Sequence, residues 1–265
     1  MAGAAQTRVS DYDAFAPYYD AFTADSDYET WTVHALQLAR RHGLHGHALL
    51  DLACGTGKSL RPFGARGFHM TGCDASHAML TEAARRVPEA VLVQADMREL
   101  PSLGRFDLVT CFDDSLNYLL GEDELAAAFA GIERNMRVGG LALFDLNSLL
   151  AYRTSFATHR VSERDGVVFC WRGLGTPDAE PGCSVEAHLD VFAPAPDGGY
   201  RRVTTPHRQR HFERDRVIAL LDGARLECVA VHGVLNDATL AEVADETRHL
   251  KVLYTARRPE GGDAQ

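Results

Sequence analysis

Between residues 47 and 147 short apolar runs recur at 47–53, 68–73, 90–94, 107–112 and 141–144, each carrying a polar or acidic residue at or just beyond its end. This recurrence constrains the fold more than any other feature of the chain. The runs are too short for helices that bury themselves. The run at 47–53, largely apolar rather than alternating, fits a strand covered on both faces, as in a parallel sheet. Helix-compatible segments stand between most of the runs. Residues 58–66 read as helical. Ser76 can cap a helix running to Arg86, with Met79, Leu80, Ala83 and Ala84 inward. Residues 122–137 place Leu125, Phe129, Ile132 and Met136 on one face, and Gly139 and Gly140 stop that helix. Strands alternating with helices imply an α/β domain with helices on both sheet faces.

The flanks read differently. Residues 10–41 predict two helices, with Phe15, Tyr18, Tyr19 and Phe22 on one and Trp31, Ala35, Leu38 and Ala39 on the next, broken near Pro17. After Asn147 the rhythm stops, and residues 159–212 carry β-leaning segments (167–171, 185–192, 200–205) between Gly- and Pro-containing turns. An antiparallel insertion is expected there, with Trp171 and Phe192 in its core. A helix at 213–222 and strands at 226–231 and 251–255 return to the main sheet, giving seven strands, and the tail 259–265 is expected to fray. A formal charge of −10 argues against a nucleic-acid partner. No apolar stretch suggests a membrane span or secretory leader, and six scattered cysteines without paired spacing suggest reduced thiols and a cytoplasmic setting. His42, His45 and His47 lack a nearby carboxylate or cysteine, so no metal is expected.

The stretch DLACGTGKS at 51–59 admits two readings. Gly57, Lys58 and Ser59 nearly complete a triphosphate loop, and DLVTCFDD at 107–114 resembles the magnesium-holding strand that accompanies one. The first glycine of that loop, however, would fall at position 52, which is Leu52. A side chain there obstructs close approach of phosphate. In the rival reading the first run ends at Asp51 and turns through Gly55 and Gly57. Such a site wants an acid about 20 residues on, at the next strand end, to bond a ribose diol. Asp74 stands there, and Asp96 ends the third run, where an acceptor can meet an adenine amino group. Lys58 then reads as a surface helix residue.

The segments LLDLACGTG (49–57), GCDASHAML (72–80), QADMREL (94–100), FDLVTCFDDSLNYL (106–119) and VGGLALFDLN (138–147) resemble, in order and spacing, the class I methyltransferases that use S-adenosylmethionine. Ala53 departs from the pattern, standing where many members carry a first glycine. The resemblance implies a Rossmann-like, mostly parallel seven-stranded sheet with helices on both faces plus the antiparallel β insertion. It divides the chain into an N-terminal helical lid (1–46), a cofactor-binding core (47–148), a substrate-cap insertion (149–212), the rest of the core (213–258) and the tail (259–265). By position, Asp51, Ala53, Gly55 and Gly57 shape the loop beside the methionine part of the cofactor. Asp74 holds the ribose, Met79 and Ala75 cover the adenine face, and Asp96 and Met97 meet its edge. Phe112 and Ser115 lie under the sulfonium, and Tyr19, with Tyr12 or Tyr28, closes over the site from the lid. The architecture also resembles bacterial amine N-methyltransferases of secondary metabolism, including those acting on nucleotide-linked amino sugars.

Methyl transfer is an in-line displacement, so alignment and loss of one proton are the protein's tasks. Asp113 and Asp114 follow the fourth run, where the methyl group should sit, and either can orient or deprotonate an acceptor; the bland reading is a turn cap. Tyr118 and Asn117, one turn on, and Asn147, at the end of the fifth run, can line the acceptor pocket or simply fill the core. His207 and His211 share a face if their segment is a strand, which makes either a candidate base. Arg208 and Arg210 between them suit an anionic substrate group or plain solvent. The expectation is S-adenosylmethionine as cofactor, a small-molecule acceptor methylated on nitrogen, or alternatively on oxygen, and a monomer or homodimer. A triphosphatase or a non-catalytic cofactor binder remains the rival of another class.

Overall fold

The computed structural model describes residues 2–260, with side chains from Tyr12 onward. The tail expected from 259 therefore lies, after Glu260, outside the described residues. Five parallel strands, β1 (Ala48–Leu52), β2 (His69–Asp74), β3 (Val91–Gln94), β4 (Phe106–Cys111) and β5 (Met136–Asn147), form most of the main sheet. Four further strands, β6 (His159–Arg164), β7 (Val167–Gly173), β8 (Ser184–Pro194) and β9 (Tyr200–Arg210), form a separate antiparallel sheet in that order. The main sheet is then completed by β10 (Glu227–Val234), the two-residue β11 (Leu240–Ala241) and β12 (Lys251–Arg257), in the order β11-β10-β12-β5-β4-β1-β2-β3. The seven expected strands are present, and β11 adds an eighth at the edge.

The α1 helix (Ala2–Phe22) and α2 (Tyr28–Arg41) precede the sheet; α3 (Leu60–Gly64), α4 (His77–Arg86) and α5 (Glu122–Asn135) alternate with it; α6 (Leu149–Thr154) opens the insertion and α7 (Arg214–Gly223) follows it. The two sheet faces divide the side chains by parity, as strand geometry requires. Leu50, Leu52, Val109, Phe144 and Tyr254 face α5 and α7, while Leu49, Leu108, Leu143 and Leu253 face α2 and α3. Ser76 caps α4 by accepting from the Met79 N–H at 3.1 Å.

Three expectations need correction. Pro17 lies inside α1, and the chain breaks after Phe22 instead. Ring contacts of Phe15 with Tyr19 (5.7 Å) and Phe22 (5.6 Å) carry the helix past the lost hydrogen bond. The helix expected to reach 137 ends at Asn135, because Met136 is extended and pairs with Phe106 of β4. Phe192 is on the outer face of the insertion, under the Arg202 guanidinium, while Trp171 is on the inner face. Val168 pairs with Phe192 and Trp171 with Leu189, and that register puts the two aromatics on opposite sides.

The inner face of the insertion, through Phe169, Leu189 and Val191, packs on Phe15 and Ala16 of α1 and on Met79 of α4. Helix α1 is thus held between the insertion and the carboxyl ends of the parallel strands. Among the described residues no helix is long and apolar enough to cross a membrane.

Candidate active site

The loop after β1 turns through three left-handed residues, Ala53 (φ 52°), Gly55 (φ 52°) and Gly57 (φ 76°). Ala53 accepts this conformation at about 1 kcal/mol. Gly57 answers a packing demand, since a Cβ there would lie 3.0 Å from Val87 Cγ2 and 3.3 Å from Ala83 Cβ. The Asp74 carboxylate closes the turn. Its Oδ2 accepts from the Gly55 N–H at 2.9 Å and its Oδ1 from the Ser76 N–H at 2.8 Å. Burial pushes this carboxyl up to about 6, against the pull of those backbone donors.

Asp74 lines a cleft together with Ala75, Met79, Asp96, Met97 and Arg98, and with Tyr12 and Tyr19 from α1. A carboxylate offers about four lone-pair sites, so Asp74 keeps acceptors for a vicinal diol while stapling two loops. The buried Met79 and small Ala75 beside it leave room for a flat base. The residues present fit the nucleoside part of S-adenosylmethionine. At the far end Asp96 accepts from the Arg98 backbone N–H at 2.9 Å and from its Nε at 2.9 and 3.1 Å. Arg98 also reaches Glu124 at 3.3 Å. Sequence reading missed this arginine, which takes up acceptor capacity of the residue assigned to adenine.

A smaller polar cavity adjoins the first, sharing Tyr19, Ala53, Gly55, Asp113 and Ser115 with it and adding Tyr28, Asp51, Lys58 and Phe112. Asp51 is buried, accepts from Ser59 Oγ at 2.6 Å and Thr110 Oγ1 at 2.5 Å, and is pushed up to about 6 by burial. Lys58 is not a surface residue: its Nζ donates to the Thr23 carbonyl at 2.6 Å, at the end of α1.

Asp113 (φ 60°) and Asp114 (φ 49°) are consecutive left-handed residues beyond β4. Such strain persists only when the surroundings fix it, and here Lys251 supplies the fixing charge. Its Nζ lies 3.1 Å from Asp113 Oδ1, 2.7 Å from Asp114 Oδ1 and 3.0 Å from Asp145 Oδ2. Tyr28 donates its hydroxyl to Asp113, and Gln209 Nε2 donates to Asp114 Oδ2 at 2.5 Å. Burial alone would raise the Asp113 carboxyl, but Lys251 and Tyr28 outweigh it and hold the group below its ordinary value. Asp145, wholly buried, is pushed up to about 6. Burial likewise opposes the Lys251 charge, yet Asp114, Asp145 and Asp113 together raise it well above the usual lysine.

Beside them Tyr118 enters the main cleft. Its hydroxyl is 2.7 Å from His207 Nδ1, and His207 Nε2 is 3.1 Å from Thr205 Oγ1. Burial lowers His207 to about 4, so the ring is neutral near pH 7. Tyr12 stands edge-on to both rings, at 5.8 and 5.9 Å.

Other expected residues stand apart from this group. His211 lies just past β9, buried, with Glu246 at 2.8 Å from its Nε2. Arg208 pairs with Glu186 on the outer face, and Arg210 donates to the Leu120 carbonyl at 3.1 Å. Asn117 and Asn147 are buried sutures: Asn117 donates to the Arg210 carbonyl and accepts from the Asn147 N–H, both at 2.9 Å. Lys251, which sequence reading missed, had one available signal. Strand β12 runs antiparallel and pairs Lys251 with Asn147. A charged residue opening such a strand comes to the ligand end of the sheet.

Residues 49–140 match a family model described as a methyltransferase domain. A protein of Geobacillus sp. strain WCH70 that is named as a methyltransferase is 30% identical over 256 residues, covering 93% of this chain and 99% of the relative. An S-adenosylmethionine-dependent methyltransferase from Clostridium acetobutylicum has the same fold, with a TM-score of 0.77 at 23% identity over 91% of this chain and 96% of that one. The sugar N-methyltransferase KedS8 from Streptoalloteichus sp. gives 0.73 at 25% identity, over 91% and 93%.

Proposed function

The chain belongs to the S-adenosylmethionine-dependent methyltransferases, and from that premise we propose that it methylates an amine nitrogen of a small molecule, such as an amino sugar of bacterial secondary metabolism. When bound, the cofactor supplies a methyl group already activated on a sulfonium. The protein's residues then align the acceptor, exclude water and manage one proton.

The observation that carries the choice of nitrogen is the weak proton affinity of His207 and Asp113 beside the acceptor end. His207 sits at about 4, and the Asp113 carboxyl lies below its ordinary range. Neither takes a proton readily near pH 7. A hydroxyl acceptor needs a base that does, whereas an amine can shed its proton to water beforehand. Asp113, ionised, attracts the amine and favours the positive charge that nitrogen acquires on methylation. Tyr118, steadied by His207, supplies a hydrogen bond that sets the angle of approach, and Tyr12 closes that side. The likeness to a sugar N-methyltransferase over nearly the whole chain supports the reading.

The test is incubation with S-adenosylmethionine and matched pairs of amino and hydroxy sugars, free and nucleotide-linked, read by mass spectrometry. Methylated amines with untouched hydroxyl partners are expected. Methylated hydroxyls beside unmodified amines would overturn the choice of nitrogen.

A further inference from the structure

The face of β9 that carries His207 carries Gln209 two residues on, and Gln209 is buried. Its amide has a fixed sense. Oε1 accepts from Asn147 Nδ2 at 2.9 Å and from the Tyr152 hydroxyl at 3.4 Å, so the NH2 group faces the other way. There Nε2 donates to Asp114 Oδ2 at 2.5 Å, and the same amide hydrogen-bonds Tyr118. One side chain of the insertion thus touches both the acidic turn after β4 and the tyrosine at the acceptor end of the cleft.

Asp114 passes this contact on. Its carboxylate is held between Gln209 and Lys251, whose Nζ lies 2.7 Å from Oδ1, and its N–H donates to Asp145 Oδ2 at 3.0 Å. Fixing the side chain and the N–H together also fixes the left-handed backbone of Asp114 and of Asp113 before it. Asp113 in turn lines the cleft. Lys251 and Asp145 belong to the main sheet, so of these partners Gln209 alone brings the insertion to bear on the turn. An amide suits the place, because it donates to a carboxylate without adding charge to a cluster that Lys251 already balances.

We propose that Gln209 is a positioning residue for methyl transfer: it sets Asp113 and Tyr118 relative to each other and makes acceptor alignment depend on the seating of the insertion. Gln209 lines neither the nucleoside cleft nor the polar cavity beside it, so cofactor affinity does not pass through this side chain. The proposal rests on the amine reading of the acceptor end and adds to it the residue that holds that end in shape.

Steady-state kinetics on wild type, Gln209→Leu and Gln209→Glu test it, with S-adenosylmethionine and the same panel of amino and hydroxy sugars, beside calorimetry with S-adenosylhomocysteine. On the amine that wild type methylates, Gln209→Leu should lower kcat roughly tenfold to a hundredfold, the scale of a small misplacement, with S-adenosylhomocysteine affinity unchanged. Gln209→Glu keeps the size of the side chain and, when protonated, one donor for Asp114; ionised, it repels that carboxylate. Its kcat relative to wild type should therefore recover as pH falls, while that of Gln209→Leu should not. Because Gln209→Glu is nearly isosteric, its pH profile decides the matter if the leucine variant does not fold. Wild-type kcat in Gln209→Leu, a Gln209→Glu ratio that is the same at every pH, or a loss of S-adenosylhomocysteine affinity as large as the loss in kcat overturns the proposal alone. Wild type that methylates no amine of the panel overturns the amine reading and the proposal with it.

Discussion

Lys251 Nζ lies 2.7 Å from Asp114 Oδ1, although 137 positions separate the two residues. The contact exists because the last strand enters the sheet against the direction of its neighbours, and so delivers its first side chain to the ends of the others. One ammonium there offsets three carboxylates. Lys251→Met should cost roughly 3 kcal/mol, the scale for stranding buried charge. Asp113 has a depressed native value, so its contribution is present above the unfolded value and lost as pH falls. The gap between wild type and variant in urea unfolding should therefore be full above about pH 4 and narrow below it. A gap independent of pH would contradict the charge account.

Asp74 staples two loops and faces the cleft. Asp74→Ala should weaken S-adenosylhomocysteine binding by about 1–3 kcal/mol through lost charge-assisted bonds. Calorimetry checks this, and undiminished affinity would remove the ribose from this carboxylate.

Asp51 is raised from an ordinary 3.8 to about 6 by burial. A carboxyl raised in the native state stabilises the fold below its unfolded value, and that contribution is lost as pH rises through the native value. Asp51→Asn abolishes the titration. Relative to wild type, the variant should gain about 3 kcal/mol between the acid side of pH 4 and the neutral side of pH 6, because each tenfold change in proton affinity is worth about 1.4 kcal/mol. Denaturant melts at both ends of the range measure it, and parallel curves would refute it.

Tyr118→Phe removes the hydroxyl that joins the cleft to His207. Turnover should fall on the order of tenfold from poorer alignment, with cofactor affinity unchanged. His207→Gln should keep the pH–rate limb of wild type, because a ring held at about 4 is neutral throughout the working range. A limb that disappears in this variant would instead make His207 the base.

Much of the core was legible because its signals are local. The largely apolar runs at 48–52 and 106–111, the Ser76 cap and the acids at strand ends each follow from a few neighbouring residues. What escaped depends on distant partners. Strand β6 is exposed along its whole length and carries no apolar alternation, so only pairing with β7 defines it. The outward turn of Phe192 follows from register, which composition does not encode. Lys251 gains meaning only through carboxylates brought to it by the fold, and Arg98 joins its near neighbour Asp96 to the distant Glu124. Pro17 looked like a stop because its backbone cost is local, while the aromatic contacts that override it are formed around it in the folded helix.

Helix α1 places Tyr12 and Tyr19 over the cleft and is tied down at three points, Asp13 to Ser76, Asp20 to Arg86 and Thr56, and Thr23 to Lys58. Each tie contributes about 0.5–1.5 kcal/mol, so loosening all of them together is infrequent. A helix fastened in this way predicts that cofactor enters before acceptor and leaves after product, which product-inhibition patterns would check. Steady-state kinetics should accordingly be those of an ordered queue, with demethylated cofactor the slow passenger.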